Sequence, residues 1–313
     1  MDILNYQKEA IDIINKAFEL NHIAHAYIFE GSAGSGTLDA AYYFAEKMLC
    51  TADNKPCGVC DNCKNVINRV HSNIFLIEPI SDSIKKDQIN SLIHEDHMTS
   101  VTGKNRIYII KDANAMNRAS ANTLLKTLEE PSSDNYFILL TPNTNSLLET
   151  IASRCQIIRF KPINKTQIEN LLKDSDINVD ASYLLSELFD SYDEAKTNYL
   201  SNLSFYEYIF KVFNELSLKK DIYINYLFNK NFFQNKDNVI LLMKAIIVFE
   251  KELIKYLNNE SIHFVTYINK IDKESLNINN LIKNIEVINE AIEKVNSNVN
   301  IDLVYTNLTI RLI

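Results

Sequence analysis

The 313-residue chain carries 32 Lys and Arg residues against 40 Asp and Glu residues, a formal net charge of −8. This acidic balance excludes a stand-alone nucleic-acid-binding protein, although a local patch could still contact DNA inside a larger assembly. Hydrophobic residues make up 46% and charged residues 23% of the chain, as in a soluble globular protein with a core. The length suggests two or three domains.

The first 20 residues predict an amphipathic helix. They lack the basic start and the continuous apolar core of a signal peptide. The richest apolar stretch, VILLMKAIIVF at 239–249, is too short to span a membrane and contains Lys244. We therefore expect a cytoplasmic protein with no membrane partner.

Residues 1–161 alternate between short apolar runs and segments of helical period. Among the helical segments are LDAAYYFAEKMLC, KDQINSLIHEDH, NRASANTLLKTLEE (stopped by Pro131) and TNSLLETIASRC. Strands that alternate with helices predict an α/β domain, in which a parallel sheet has helices on both faces. The predicted strands are HAYIFE (25–30), NIFLIE (73–78), RIYIIK (106–111), YFILLT (136–141) and QIIRF (156–160).

From residue 162 onward the sequence shows only helical periodicity, beginning with a capping-type start at NKTQIENLLKD. The helices become longer and richer in aromatic residues from FYEYIFKVFNEL onward. We therefore predict one small helical domain over 162–207 and a second helical domain over 208–313.

Three of the five glycines, Gly31, Gly34 and Gly36, lie in FEGSAGSGTLDAA, directly after the first predicted strand. Their spacing is that of a phosphate-binding loop, G-x-x-x-x-G-K-[ST]. The Lys position is occupied by Thr37 and the following Ser or Thr position by Leu38. The backbone of such a loop could still hold an anion, but the lysine charge and the magnesium ligand are missing. A glycine-rich turn without function is the simpler alternative.

Two further positions bear on catalysis. Active P-loop ATPases end the strand corresponding to IYIIKDA in an acidic magnesium ligand. Here Lys111 stands at that position, with Asp112 beside it, and a lysine repels Mg²⁺. Arg154, in ASRCQIIRF, lies between a predicted helix and the fifth strand. By itself an arginine there most simply complements the helix dipole.

Four of the five cysteines fall within CTADNKPCGVCDNC, at the spacing C-x6-C-x2-C-x2-C. The C-x2-C spacing brings two thiolates onto one tight turn, which is typical of structural zinc sites with four cysteine ligands. Cys50, Cys57, Cys60 and Cys63 are therefore predicted to bind one Zn²⁺ in a closed site. An iron–sulfur cluster and free surface thiols are the alternatives.

In this order and spacing, the sequence resembles the AAA+ subunits of the bacterial replicative clamp loader. The resemblance covers residues 1–161 and rests on HAYIFEGSAGSG, the four-cysteine insert, IYIIKDANAMN, SANTLLKTLEEP and SRCQIIRF. It implies an AAA+ P-loop-type domain with a zinc-binding insert, then a small helical lid domain and an all-α C-terminal collar domain. Within the family, the degenerate loop, the length and the single helical end favour the delta-prime type over the gamma/tau motor type. The zinc insert and the S-R-C motif exclude the delta type.

The resemblance also implies roles for individual residues. In this family the zinc module is structural, and the arginine of the S-R-C motif reaches into the ATP site of the neighbouring motor subunit. Arg154 would then be an arginine finger acting in trans, with Ser153 and Cys155 completing the motif. Thr141, at the end of the fourth strand, falls at the family's nucleotide-sensing position and is expected to be vestigial.

The helix NRASANTLLK faces the central DNA channel in this family. The resemblance therefore implies DNA contacts from Arg118, Ser120 and Asn122, since Arg and helix N-termini suit phosphate groups. Capping of the helix by Asn117 is a simpler use of the same segment.

Taken together, the resemblance implies a stator subunit that binds ATP weakly or not at all and does not hydrolyse it. Its expected partners are gamma/tau motor subunits and a delta subunit in a hetero-pentamer, with the sliding clamp and primed DNA bound by the assembly. An active P-loop enzyme, either a gamma/tau-like ATPase or a nucleotide kinase, is one alternative. A zinc-containing regulatory scaffold unrelated to replication is another.

Overall fold

A computed structural model describes residues 2–91, 105–130, 134–218, 232 and 235–311. The chain divides into two compact units, Met1–Ile163 and Asn164–Ile313. The first unit contains a five-stranded sheet, and the described residues of the second are helical. The predicted boundaries of the lid and collar domains, including the one at 207/208, stay a prediction.

The sheet of the first unit has the strand order β2-β3-β4-β1-β5, and every neighbouring pair is parallel. The five predicted strands and the parallel sheet are thus confirmed. Because the strands are parallel, all their carboxyl ends lie along one edge of the sheet, and ligand sites of such sheets form outside that edge. The strands are β1 Ala26–Glu30, β2 Ile74–Ile77, β3 Arg106–Ile110, β4 Asn135–Thr141 and β5 Gln156–Arg159.

Apolar residues on both faces of the central strands hold the sheet. The residues from Ala26 to Phe29 of β1 are each at most 1% exposed, as expected for a strand covered on both sides. Phe75, Tyr108 and Phe137 are paired in register on three neighbouring strands. The Tyr108 ring stacks on both others at centroid distances of 5.1 and 5.0 Å. This aromatic row fixes the mutual register of β2, β3 and β4.

The helices of the first unit depart from the predictions at two places. The predicted N-terminal helix is divided at Gln7, whose side chain bonds to remote backbone groups. In TNSLLETIASRC only one turn, Glu149–Ala152, is α-helical, because Asn143 caps a preceding 3₁₀ turn and Leu147 is extended. The helix predicted over 86–97 is present at residues 86–91, and its remainder, like Pro131, lies outside the described residues. The other helical segments are Asp2–Tyr6, Lys8–Glu19, Thr37–Leu49, Asp61–Ile67, Ala113–Ala115, Arg118–Glu129, Thr144–Ser146 and Glu149–Ala152.

The second unit begins with the predicted cap. The Asn164 side chain accepts a bond from the Gln167 N–H, and the Gln167 side chain accepts one from the Asn164 N–H, forming a capping box. No described helix is both long and apolar enough to cross a membrane. The helical segments are Lys165–Lys173, Val179–Leu188, Tyr192–Ser201, Leu203–Ser217, Lys236–Leu257, Val265–Ile268, Lys273–Ser275, Ile278–Asn296 and Ile301–Arg311.

Two buried carboxyl groups lie on the helix Lys236–Leu257. Glu252 is 0% exposed and accepts hydrogen bonds from Tyr183 Oη and Lys255 Nζ, each at 2.7 Å. Glu250 is also buried, but among the residues that the structure describes only Asn284 Nδ2 donates to it, at 3.3 Å. Burial raises the pKa of Glu250 to about 7, because few groups replace the water that would solvate its charge.

Glu250 is expected to make the chain less stable at pH 8 than at pH 5. Below the ordinary pKa of 4.5 this group is protonated in both the folded and the unfolded chain. As the pH rises from 4.5 to about 7, the unfolded chain releases this proton, whereas the folded chain must keep it or bury a charge. The free energy of unfolding therefore falls. Glu250→Gln should remove this loss, at most about 3 kcal/mol.

The measurement is urea unfolding of the unmodified chain and the variant at pH 5 and pH 8. Glu293→Gln, an exposed change on the helix Ile278–Asn296, is the control and should leave the pH dependence unchanged. Equal pH dependence in the unmodified chain and Glu250→Gln would contradict the assignment.

Candidate functional site

The glycine loop begins where β1 ends and is packed too tightly for any side chain at Gly31. The Gly31 N–H donates to the carbonyl of Thr141 at 3.0 Å. A Cβ at Gly31 would lie 2.3 Å from Ser35 Oγ and 2.9 Å from Phe160 Cβ, closer than atoms can approach. Glycine is therefore favoured here by contacts from the loop itself and from the residue after β5.

The loop ends at the N-terminus of the helix Thr37–Leu49. Gly36 has φ +83°, a left-handed conformation that favours glycine, and no side chain caps the helix. Gly34 also has a positive φ, of 75°. Thr37 is the first helical residue and Leu38 follows it, so neither loop position carries a charge. The strand–loop–helix geometry of a phosphate-binding loop is present, without its lysine and its magnesium ligand.

The N-terminal segment covers this loop. The Gln7 side chain donates to the carbonyl of Ser35 at 2.9 Å and to the carbonyl of Lys161 at 2.7 Å. Its Oε1 accepts the N–H of Lys161 at 3.0 Å. The Ile3 side chain comes within 3.1 Å of the Cβ position of Gly36. The N-terminal segment thus contacts the loop through Gln7 and Ile3, and nothing near Gln7 in the sequence signals this role.

Two residues at the ends of β1 and β4 join the loop to its neighbours. Thr141 is buried, and its Oγ1 donates to the carbonyl of Asn143 at 3.1 Å. Glu30 accepts the N–H of Thr144 at 3.0 Å and the Nε–H of Arg159 at 2.9 Å. The bond from Thr144 and then the bond and charge of Arg159 hold the pKa of Glu30 below its ordinary value. Sequence analysis did not single out Glu30, whose partner Arg159 is remote in the chain.

Lys111 lies directly after β3, at the edge of the sheet where the carboxyl ends of the strands lie. Its Nζ forms an ion pair with Glu78 Oε1 at 2.8 Å, and both side chains are about half exposed. Asp112, beside it, has φ 50°. The Lys111 ammonium is therefore paired with the Glu78 carboxylate at the end of β3.

Arg154 follows the single helical turn Glu149–Ala152, and its side chain is 37% exposed. Nη1 donates to the carbonyl of Thr150 at 2.9 Å, as an arginine at the end of a helix commonly does. Nη2 forms an ion pair with Glu129 Oε1 at 3.0 Å. Ser153 is exposed and also bonds to the Thr150 carbonyl. The arginine is accessible and held by two separate segments.

Arg154 lies at the edge of the sheet opposite to the glycine loop. Gln156, the first residue of β5, pairs with Tyr27 near the start of β1, whereas the loop begins at Gly31. The strand from Tyr27 to Gly31 rises about 13 Å. The helix Arg118–Glu129 returns the chain from the end of β3 towards the start of β4, which brings Glu129 to the same edge as Arg154. Arg154 therefore faces away from the loop of its own chain.

Cys155, the last residue of the S-R-C motif, packs against the hydrophobic core of the sheet. Burial raises the pKa of its thiol to about 12, so the neutral form dominates at physiological pH. The motif thus points its arginine outward and anchors its cysteine inward. A positioning contribution from Cys155 and Ser153 stays a prediction.

The helix that was expected to face DNA presents only part of the predicted set. Arg118 and Asn122 are exposed and, four residues apart, lie on one face of the helix. Ser120 is 0% exposed, and its Oγ donates to the carbonyl of Ile84 at 2.9 Å. The prediction was therefore wrong for Ser120, because residues two apart point to nearly opposite faces of a helix. Asn117 caps the helix by accepting the Ser120 N–H, the simpler use of the segment.

The four clustered cysteines converge. The sulfur atoms of Cys50, Cys57, Cys60 and Cys63 all lie within 4.8 Å of one another. The Cys57 and Cys63 sulfurs are 3.8 Å apart. Four sulfurs at about 2.3 Å from a tetrahedral ion would be separated by about 3.8 Å, so the donor set fits such an ion. Cys50 and Cys63 are buried and the other two half-buried, which closes the site.

Backbone N–H groups support thiolates at the exposed side of the cluster. The Cys60 N–H donates to Cys57 Sγ and the Cys63 N–H donates to Cys60 Sγ, both at 3.4 Å. The bond from the Cys63 N–H is the main cause that lowers the pKa of Cys60 to about 6. The N–H of Val59 is the main cause that lowers the pKa of Cys57. Metal ions bind the thiolate form, which these bonds favour at Cys57 and Cys60, whereas burial raises the pKa of the Cys63 thiol.

Residues 6–164 match the family described as DNA polymerase III, delta subunit. The chain is 36% identical to DNA polymerase III subunit delta' of Bacillus subtilis over 190 residues, which make up 60% of this chain and 58% of that relative. It is 32% identical to DNA polymerase III subunit tau/gamma of Haemophilus influenzae over 168 residues, 53% of this chain and 24% of that relative. The matches thus span less than two thirds of either relative.

Among solved structures, the chain is similar to a DNA polymerase III gamma subunit-related protein from Thermotoga maritima. The two share 13% identity with a TM-score of 0.46, over 96% of this chain and 98% of the other. Similarity at this level carries no conclusion about function.

The cysteine cluster is expected to bind one metal ion per chain. Cys57→Ser should lose the ion and destabilise the segment around it, because a structural metal site contributes its binding energy to folding. Cys155→Ser, the same change at the cysteine outside the cluster, should retain the ion. Elemental analysis of protein purified without chelators measures this. Less than one ion per unmodified chain, or full retention by Cys57→Ser, would contradict it.

Proposed function

The chain belongs to the DNA polymerase III delta-subunit family, among the delta-prime subunits of the bacterial clamp loader, and we propose that it is a stator subunit. In this role it completes the ATPase site of a neighbouring subunit with Arg154 and does not hydrolyse ATP itself. It thereby helps the assembly to load the sliding clamp onto primed DNA.

The observation that carries this proposal is the edge at which Arg154 lies. Ligand sites of parallel sheets form at the carboxyl edge, where the chain's own loop is located. Arg154 is at the other edge, accessible, and held by Glu129 and Thr150. An arginine so placed cannot serve its own loop, whereas it can enter a site on a neighbouring subunit.

The chemistry suits a guanidinium supplied by a neighbour. Negative charge spreads over the oxygen atoms of the transferred phosphoryl group in the transition state. A planar guanidinium donates two parallel hydrogen bonds to such oxygens and neutralises their charge. Because Arg154 is held before the neighbour binds, little orientational freedom has to be lost at the moment of reaction.

The loop supports the second half of the proposal, the absence of hydrolysis. Gln7, Ile3 and Thr141 contact the loop through uncharged groups and add no positive charge to it. Thr37 and Leu38 supply no positive charge and no magnesium ligand, and Lys111 repels the metal. ATP binding is therefore expected to be weak or absent, and Thr141 to have no sensing role.

For the metal site we propose Zn²⁺ with a structural role. A set of four thiolates at these separations is typical of zinc, and it leaves no coordination position for a substrate. The ion would hold the turn at Cys57–Cys63 against the end of the helix Thr37–Leu49, at Cys50. When bound, it supplies folding energy and no catalytic step.

The proposed partners are gamma/tau motor subunits and a delta subunit in a hetero-pentamer. The lid over 162–207 and the collar over 208–313 belong to this proposal, with the collar holding the pentamer together. Arg118 and Asn122 are the residues of their helix that stay candidates for contact with DNA. A cytoplasmic location follows from this role.

An active P-loop enzyme is the alternative that the preserved loop geometry favours, and the loop variants decide it. The unmodified chain should hydrolyse no ATP above background. Thr37→Lys combined with Leu38→Thr should not restore hydrolysis, because Lys111 still stands at the metal position. Adding Lys111→Asp tests that reason directly. Steady-state ATPase assays with magnesium measure each form. Hydrolysis at a motor-like rate by the unmodified chain would support the alternative. Hydrolysis at that rate by the double variant would refute the role of Lys111.

Arg154→Ala should assemble normally and slow the ATPase of the complex stimulated by clamp and DNA. An arginine finger accelerates ATP hydrolysis at its own site about 10³–10⁵-fold. The ATPase rate of the whole complex falls by less, because only one site faces this subunit. Arg154→Lys should restore little, because an ammonium cannot reproduce the planar fork. The measurement is steady-state ATPase of reconstituted complexes whose assembly is verified by gel filtration.

Arg69→Ala is the matched control, since Arg69 is a half-exposed arginine of the same unit in an ion pair with Asp39. It should leave the ATPase unchanged. An unchanged rate with fully assembled Arg154→Ala would remove the trans-acting finger from the proposal and leave a scaffold.

A further inference from the structure

The guanidinium of Arg154 is held by two segments of the first unit that are distant in sequence. Nη1 donates to the carbonyl of Thr150 at 2.9 Å and lies 3.5 Å from Ser153 Oγ. Nη2 is 3.0 Å from Oε1 of Glu129, the last residue of the helix Arg118–Glu129. Arg154 is thus fixed from its own helical turn and from the end of a second helix.

The contacts of Arg154 leave one nitrogen of its guanidinium available. A guanidinium has five N–H groups, two on each terminal nitrogen and one on Nε. Nη1 donates to Thr150 and Ser153, and Nη2 forms the ion pair with Glu129. Within the described part of the chain, Nε–H has no hydrogen-bond partner. Nε–H can therefore donate to a phosphate oxygen that a neighbouring subunit presents.

We propose that Glu129 is a positioning residue for Arg154, an inference that rests on the proposed function. Its carboxylate holds Nη2, and the Nε–H that stays available can then donate to a phosphate on a neighbouring subunit. An arginine without this contact samples many rotamers, and ordering it again costs free energy when the neighbour's site closes. Glu129 does not touch the nucleotide, and it acts only through Arg154.

The solvent exposure of the Glu129 and Arg154 side chains limits how much their contact can change the ATPase rate. The Glu129 side chain is 46% exposed and that of Arg154 37%, so solvent screens their attraction. Exposed ion pairs of this kind change an equilibrium about two- to fivefold, and we expect the same range for the rate. The opposite possibility is that Glu129 competes with the phosphate for Arg154, in which case removing its charge would raise the rate.

The test uses reconstituted complexes that contain Glu129→Gln, which keeps the shape of the side chain and removes its charge. The turnover number of the ATPase should fall about two- to fivefold, with the KM for ATP unchanged, because the contact matters in the transition state. Glu130→Gln is the matched control: this neighbouring glutamate is exposed and makes no ion pair within the described residues. It should leave the rate unchanged, and thermal melts should be the same for all three chains.

The double variant Glu129→Gln, Arg154→Ala separates positioning from a structural role. In the Arg154→Ala background, Glu129→Gln should have no further effect, because its only route to the reaction has been removed. Equal slowing by Glu129→Gln in both backgrounds would overturn the inference, as would an unchanged or increased rate in the Glu129→Gln complex while Arg154→Ala is slow. No effect of Arg154→Ala itself would instead refute the proposed function.

Discussion

The pairing of β1 with β4 on one side and β5 on the other is the constraint on which the other features depend. It sets Tyr27 opposite Gln156 and Glu30 opposite both Thr141 and Arg159. The loop therefore leaves the sheet at one edge, while the S-R-C motif enters β5 from the other. A parallel arrangement allows no alternative, since each strand must be re-entered from its amino end. The separation of the loop from Arg154 follows from connectivity before any side chain is considered.

The same pairing positions the groups that contact the loop. The Thr141 carbonyl accepts the N–H of Gly31 from β4, Phe160 lies beside Gly31 after the end of β5, and Gln7 bonds to the carbonyl of Ser35. These contacts involve uncharged groups, whereas phosphate chemistry in such a loop requires a lysine and a magnesium ligand. Different atoms therefore shape the loop and carry out that chemistry.

The cysteine cluster combines two ligands at or in helices with two ligands on the turn between them. Cys50 closes the helix Thr37–Leu49 and is buried, and Cys63 lies in the next helix, so two of the four ligands belong to packed elements. Cys57 and Cys60 lie on the connecting turn, where backbone N–H groups support their thiolates. The insert is thus anchored at both ends by buried residues at or in helices. A bound ion would order mainly the turn between them.

The sequence by itself determined the features that depend on local spacing. Apolar runs gave the five strands, glycine positions gave the loop, and the C-x2-C pattern gave the cysteine cluster, because each is formed by residues close together in the chain. Tertiary structure decided the rest. Gln7 meets Lys161 across 154 residues, and Glu129 reaches Arg154 from another helix. Ser120 is buried by the packing of its helix, although the family resemblance implied that it contacts DNA. Such contacts depend on which elements become neighbours, and a polar residue carries no local signal of the partner that folding will bring to it.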